Sequence, residues 1–273
     1  MEHQDADEQQ PQPQHKNHKM IKEKIKKIYA NGIKIHMPFF ITDDILLCSF
    51  GFDNLKIENN HYWKIGYIDK FSLEDYSLIN TGMIDESVNC CPYGFILNNK
   101  VNISFVANSI YPEDFNYKLY SMSGYELNNL ENLNIVEETN CGILTEKNMF
   151  YIKAESMTSY LLYENHKIIM KFKNMSVLRV NSSSHGLTLT IDHYQHGLFE
   201  VLITRDGLKS IKLKDKDFSP YKCHLYKNLL AYTIKGEHFE DRILDITEDY
   251  YFVDLPENIK GDIEIVNNWN ANI

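Results

Sequence analysis

The stretch that decides the fold is VLRVNSSSHGLTLTIDHYQHGLFEVLITRDGLKSIKL, which runs from Val177 to Leu213. It divides into four short runs rich in β-branched and apolar side chains, separated by the turns SHG, YQHG and RDG. Such runs, bounded by Gly, Asp and His, are typical of β-strands joined by tight turns. The pair Asp206-Gly207 predicts a type I′ hairpin turn, in which both central residues have positive φ. The stretch therefore predicts a four-stranded antiparallel meander.

The rest of the chain repeats this arrangement from residue 33 onward. Second strands are predicted to begin near the following residues, roughly 40 to 55 residues apart: Ile45, Val101, Met149, Leu187 and Leu229. The segments GFILNNKV (94–101) and GILTEKNM (142–149) align without a gap. This pattern resembles the five-bladed β-propeller, whose blades are four-stranded antiparallel meanders. The resemblance covers about 220 residues and concerns architecture alone, since no family-specific motif accompanies it. A β-sandwich with added hairpins is the alternative.

The domain organisation follows from composition. Residues 1–19 are rich in Gln, His, Pro and acidic side chains, which predicts a disordered tail. Residues 20–32 predict an amphipathic helix, because Ile21, Ile25 and Ile28 recur at helical spacing and Asn31-Gly32 supplies a stop. Lysines cover its other face, and we expect the isoleucines to pack on the outside of the domain. Residues 33–273 are predicted to form a single propeller domain.

Charge and composition limit the partners. The net charge of −10 argues against nucleic acid, which binds basic surfaces. No run of eighteen apolar residues is present, so the sequence predicts no membrane span. The five cysteines include no CxxC pair, and no secretory signal is recognisable. We therefore expect reduced thiols and a cytoplasmic protein.

The propeller resemblance also implies a binding face. In propellers the first strand of each blade lines a central channel, and the loops that enter it share one face with the loops between second and third strands. This rule selects as ligand-binding candidates His36, Trp63, Cys90, Asn140, Ser182, His193, Tyr194, His196, Tyr221 and His238. Aromatic rings and polar groups together suit a small polar ligand such as a carbohydrate or a nucleotide. We therefore expect the protein to bind such a ligand, without a cofactor. The alternative is that these residues bind no ligand and are ordinary solvated loop side chains.

Other functions remain open at the level of sequence. A glycoside-hydrolase-like enzyme would need loop carboxylates, of which the candidates are Glu113, Asp114, Glu155 and Glu237, because the first strands carry no central Asp or Glu. A Cys–His nucleophile could come from Cys90, Cys91 or Cys141 with His36. His193 and His196 have the spacing of two metal ligands but lack a recognisable third, so we predict no metal site. A protein-interaction platform is a further alternative.

Overall fold

The computed structural model describes residues 13–57, 60–78, 89–97, 100–108, 117–123, 126–129, 141–144, 148–214, 220–234, 243–266 and 269. Within these ranges the strands form five antiparallel sheets of three to five strands. Helix α1 spans Pro13–Ala30, and a four-residue helix, α2, spans Glu257–Lys260. The predicted all-β class with an N-terminal helix is confirmed, although the helix begins seven residues before the predicted start. No helix in the described part of the chain is long and apolar enough to cross a membrane.

The first three sheets are meanders that follow the chain. The first contains β1 (Ile33–Thr42), β2 (Ile45–Ile57), β3 (Asn60–Asp69) and β4 (Ser77–Leu78). The second contains β5 (Asn89–Leu97), β6 (Lys100–Asn108), β7 (Tyr117–Ser123) and β8 (Glu126–Asn129). The third begins with β9 (Cys141–Leu144), β10 (Met149–Ser156), β11 (Ser159–Glu164) and β12 (Lys167–Lys173). The second strand of each sheet begins within one residue of the predicted Ile45, Val101 or Met149.

The fourth sheet contains the four strands predicted for Val177 to Leu213. They are β13 (Met175–Ser183), β14 (Gly186–His193), β15 (Gly197–Thr204) and β16 (Gly207–Leu213). The predicted type I′ turn at Asp206-Gly207 is wrong, because Gly207 has positive φ and Asp206 does not. The central pair of that turn is Arg205-Asp206, and the glycine follows it. Positive φ at two consecutive turn residues is found instead at Asn165-His166, between β11 and β12.

The fifth sheet has three strands, and its expected fourth strand lies elsewhere. It consists of β17 (Tyr221–Tyr226), β18 (Leu229–Ile234) and β19 (Ile243–Thr247). The next strand, β20 (Tyr250–Asp254), pairs with β16 as the fifth strand of the fourth sheet, and β21 (Ile263–Ile265) pairs with β12 in the third. The prediction of four strands in every sheet therefore holds for only two sheets. The two added strands cover edges that would otherwise expose backbone groups.

Helix α1 lies against the outer strand of the fifth sheet, where a fourth strand was expected. The hydroxyl group of Tyr29 accepts a hydrogen bond from the N–H of Leu244 on β19, at 2.8 Å. Lys22 forms an ion pair with Asp245 at 3.5 Å. Ile21, Ile25 and Ile28 are buried in a cluster with side chains of the first and fifth sheets. The helix thus joins the two ends of the sheet series, which agrees with the expected packing of its apolar face.

The first strands of the five sheets contact one another in a cycle. β1 contacts β5, β5 contacts β9, β9 contacts β13, β13 contacts β17, and β17 contacts β1 again. Side chains fill the spaces between neighbouring sheets, with one cluster between the third and fourth and another between the fourth and fifth. Each of the five first strands therefore contacts two other first strands.

Candidate functional site

The starts of the first strands lie at the same end of the sheets as the turns between second and third strands. In the fourth sheet, Met175 at the start of β13 pairs with His193 at the end of β14. In the fifth, Tyr221 at the start of β17 pairs with Thr233 near the end of β18. We call this end the entry face. In both sheets, the start of the first strand and the turn between the second and third strands therefore lie at one end, which is the arrangement that the predicted binding site requires.

Among the described candidates, Tyr194 has an exposed aromatic ring on the entry face. Its side chain is 53% exposed. The phenol oxygen donates a hydrogen bond to the carbonyl of Met157, in the β10–β11 turn, and lies 3.3 Å from the hydroxyl oxygen of Ser176. Leu178, two residues after Ser176 on β13, is also exposed. These contacts connect the turns of the third and fourth sheets and hold an aromatic ring at the surface.

His193 and His196 contact the C-terminal segment. His193 is 2% exposed, and its Nδ1 accepts the backbone N–H of Gln195 at 3.2 Å. Its Nε2 therefore carries the proton and donates to Oδ2 of Asp262 at 3.0 Å, a hydrogen bond that lowers the pKa of Asp262. His196 is exposed, and its Nε2 lies 2.6 Å from Nδ2 of Asn258. Both imidazoles thus have protein partners, and the described residues contain no group of three or more His, Cys, Asp or Glu side chains placed to hold a metal ion.

The other described candidates do not converge with Tyr194. His36 is buried near the middle of β1, and Tyr221 is buried at the start of β17. Ser182 pairs with Leu187, six residues along β14 from His193. At about 3.3 Å per residue, Ser182 is about 20 Å from the entry face. Ser182 therefore lies at the opposite end of its sheet from Tyr194.

The remaining candidates are described in part or fall outside the described residues. Trp63 lies on β3 and Cys90 on β5, but their side chains are outside the described part. Glu155 is exposed near the end of β10 and accepts a hydrogen bond from Ser159 at 3.0 Å. The candidates outside the described residues are Glu113, Asp114, Asn140, Glu237 and His238.

The first strands also hold a buried charge that sequence reasoning missed. Arg179 on β13 is 1% exposed. Its Nη1 donates to the carbonyl of Lys222 on β17 at 3.2 Å, and its Nη2 donates to the carbonyl of Pro38 on β1 at 3.3 Å. Both acceptors lie where the register of their strand shifts. Such β-bulges turn backbone groups out of the ladder, so these carbonyls are available to the guanidinium.

Two buried titratable side chains, Glu200 and His224, lie near Arg179. Burial raises the pKa of Glu200 to about 7, although hydrogen bonds from Thr190 and Cys223 and the nearby Arg179 oppose the shift. Burial and the charge of Arg179 lower the pKa of His224 to about 3, so His224 is neutral. Its Nδ1 accepts the backbone N–H of Phe40 at 2.9 Å. The group Arg179, Glu200, Cys223 and His224, here called the Arg179 cluster, connects the first, fourth and fifth sheets.

The Arg179 cluster has the chemistry of a structural centre. Its members are almost completely buried, so a ligand on the surface cannot reach them. Burial also raises the pKa of the Cys223 thiol, which is then a poor nucleophile near neutral pH. In comparisons with known proteins, the chain matches no protein-family model and no curated protein.

Proposed function

We propose that this chain is a non-catalytic binding protein, built as a five-bladed β-propeller, that holds a small polar ligand on its entry face. The propeller is supported by the cycle of contacts among the five first strands. Arg179 supports it further, because its guanidinium bonds to backbone carbonyls of two other first strands. In this arrangement the five sheets are the blades, and the entry face is one mouth of the ring.

The observation that carries the binding function is the fixed, exposed ring of Tyr194. A phenol held by Met157 and Ser176 loses little rotational freedom when a ligand stacks on it. Leu178, two residues after Ser176 on β13, adds exposed apolar surface, while Ser176 and His196 supply polar groups. Aromatic stacking with flanking hydrogen bonds suits a flat, polar, ring-bearing ligand, either a carbohydrate or a nucleotide.

The described carboxylates favour binding over glycoside hydrolysis. A glycosidase needs two carboxyl groups about 5 to 10 Å apart across the sugar. Glu155 is the one described member of the candidate set, and Ser159 donates to it. Glu200 has the raised pKa of a general acid but is completely buried. Glu155 and Glu200 therefore do not supply an accessible pair of carboxyl groups.

A thermal-shift screen of the purified protein against monosaccharides, oligosaccharides and nucleotides tests this function. A ligand present at one hundred times its dissociation constant adds about 2.7 kcal/mol to the free energy of unfolding. We expect a shift with at least one compound, its loss in Tyr194→Ala, and its retention in Tyr251→Ala, which removes an exposed tyrosine from β20. If no compound stabilises the protein, or if Tyr194→Ala retains the full shift, the proposal is wrong.

A further inference from the structure

The loop between β3 and β4, residues 70–76, displays two large apolar side chains in water. Phe71 is 72% exposed and Leu73 is fully exposed. Neither belongs to the three hydrophobic clusters found among the described residues. Burial of a large apolar side chain is strongly favourable, and the fold does not bury either of these two. Large exposed apolar groups that lie close together mark interaction sites.

The β3–β4 loop is held in one conformation by a lysine of helix α1. The ammonium group of Lys24 is almost buried and donates to the backbone carbonyls of Asp69, Ser72 and Glu74, the last two at 2.7 and 2.9 Å. The backbone N–H of Phe71 donates to Oδ1 of Asp69 at 2.8 Å. A loop fixed in this way loses little conformational entropy when a partner binds it. The two side chains are therefore presented as preorganised anchors.

The charges near the anchors indicate what they contact. Lys70 is paired with Asp44, and Lys27 with Asp75, so these charges offset each other. Glu74 is exposed directly beside Leu73, and the whole chain carries a net charge of −10. A basic protein surface would be attracted by Glu74, whereas a second copy of the chain would be repelled by the shared net charge.

We propose that the β3–β4 loop docks into an apolar pocket on a partner protein whose rim is basic. Phe71 and Leu73 enter the pocket, and their Cα atoms are at most about 7 Å apart, which sets the scale of the pocket. Glu74 faces a Lys or Arg of the rim. The site is on the first sheet and does not involve Tyr194, so it is independent of the ligand proposed for the entry face.

The partner can be captured through the loop itself. The variant Leu73→p-benzoylphenylalanine, expressed in its native cell and irradiated, is expected to cross-link one protein, which mass spectrometry identifies. That protein is then purified and titrated calorimetrically with the unmodified chain. Phe71→Ser and Leu73→Ser should each weaken the binding at least tenfold. Met157→Ser, which removes an equally exposed side chain from the entry face, should leave it unchanged, and all three should melt at the temperature of the parent.

The charge of the rim gives a second readout. Glu74→Lys should weaken binding to the purified partner several-fold, and higher salt should weaken the parent complex as well. The proposal is overturned if irradiation yields no cross-linked protein, or if the serine or Glu74→Lys variants bind as tightly as the parent. Two further results also overturn it. One is Leu73-dependent sedimentation with vesicles of phosphatidylcholine and phosphatidylserine, and the other is a Leu73-dependent dimer in analytical ultracentrifugation.

Discussion

Nη1 of Arg179 lies 3.2 Å from the carbonyl oxygen of Lys222, so a side chain of the fourth sheet is bonded to the backbone of the fifth. Nη2 makes the corresponding bond to Pro38 of the first sheet. The φ of Lys222 is +47°, a left-handed conformation that is unfavourable for a residue with a side chain. Three first strands are thus held by one buried cation of the Arg179 cluster.

Replacement of Arg179 should destabilise the protein severely. Arg179→Met removes both interstrand hydrogen bonds and the charge that favours ionised Glu200. Loss of one partner from a buried charge pair typically costs about 3–5 kcal/mol. Urea denaturation should show a loss of this size, whereas Arg205→Met, in the exposed β15–β16 turn, should change stability by less than about 0.5 kcal/mol. Equal losses in the two variants would exclude a special role for Arg179.

Glu200 should make stability depend on pH in an unusual direction. Its pKa is raised from 4.5 to about 7 by folding, so between these values the folded state binds more protons than the unfolded state. The stabilisation is fully present below about pH 4.5 and is lost as pH rises through 7. The shift corresponds to about 3 kcal/mol.

Comparison of Glu200→Gln with the parent isolates this contribution. The difference in unfolding free energy between the two proteins should change by a few kcal/mol from pH 5 to pH 8, with the variant gaining relative stability at high pH. Glu155→Gln, an exposed control on β10, should show no such change. A difference between Glu200→Gln and the parent that is constant across this range would contradict the raised pKa.

Tyr29 should contribute to the closure between the first and fifth sheets. Its hydroxyl donates to the carbonyl of Ile35 at 3.3 Å and accepts from the N–H of Leu244 at 2.8 Å. Tyr29→Phe leaves that buried N–H without its acceptor, at a cost of about 1–3 kcal/mol. Hydrogen exchange at the amide of Leu244 should accelerate accordingly. Tyr251→Phe, on an exposed strand, should change neither stability nor exchange, and protection of Leu244 that survives Tyr29→Phe would argue against this role.

The C-terminal segment should be an integral part of the core. Ile259 of α2 is buried in the cluster between the third and fourth sheets. Ile259→Ala should therefore cost about 2–5 kcal/mol in urea denaturation. Ile265→Ala on β21, where the side chain is exposed, is the matched control and should cost little. If the two substitutions cost the same, α2 does not pack as described.

The sequence predicted those parts of the fold in which local and tertiary preferences agree. The four runs from Val177 to Leu213 are rich in β-branched and apolar residues and separated by short turns, and the structure forms all four strands. The spacing of Ile21, Ile25 and Ile28 likewise predicted a buried helix face. These features depend on neighbours in the chain, so residue order is sufficient to reveal them.

The parts that could not be predicted depend on partners distant in sequence. The run YYFVD of β20 has the same strand propensity beside β16 as beside β19. In the structure it forms a backbone ladder with β16, while α1 lies on the β19 side. The hairpin turn was misassigned because the pairing of Thr204 with Gly207 places the glycine after the central pair.

The candidate site was predicted less well than the fold. Tyr194 and His196 are at the surface, but His36, His193 and Tyr221 are buried. The prediction missed this burial because the type of a polar residue does not reveal whether its partner is water or protein. Arg179 and Glu200 were overlooked, although each interrupts an apolar run. In the strand register, Arg179 and Glu200 both pair with Thr190 on the strand between them. This row of polar side chains across three strands was the signal from which the buried cluster could have been predicted.

A crystal structure of the full chain tests most directly the proposal that five sheets surround one axis, with Arg179 bonding three of their first strands together. We expect five antiparallel sheets in a ring, with the guanidinium of Arg179 within hydrogen-bonding distance of the carbonyls of Pro38 and Lys222. Two sheets packed face to face, a ring with another number of sheets, or an Arg179 side chain in solvent would contradict the account.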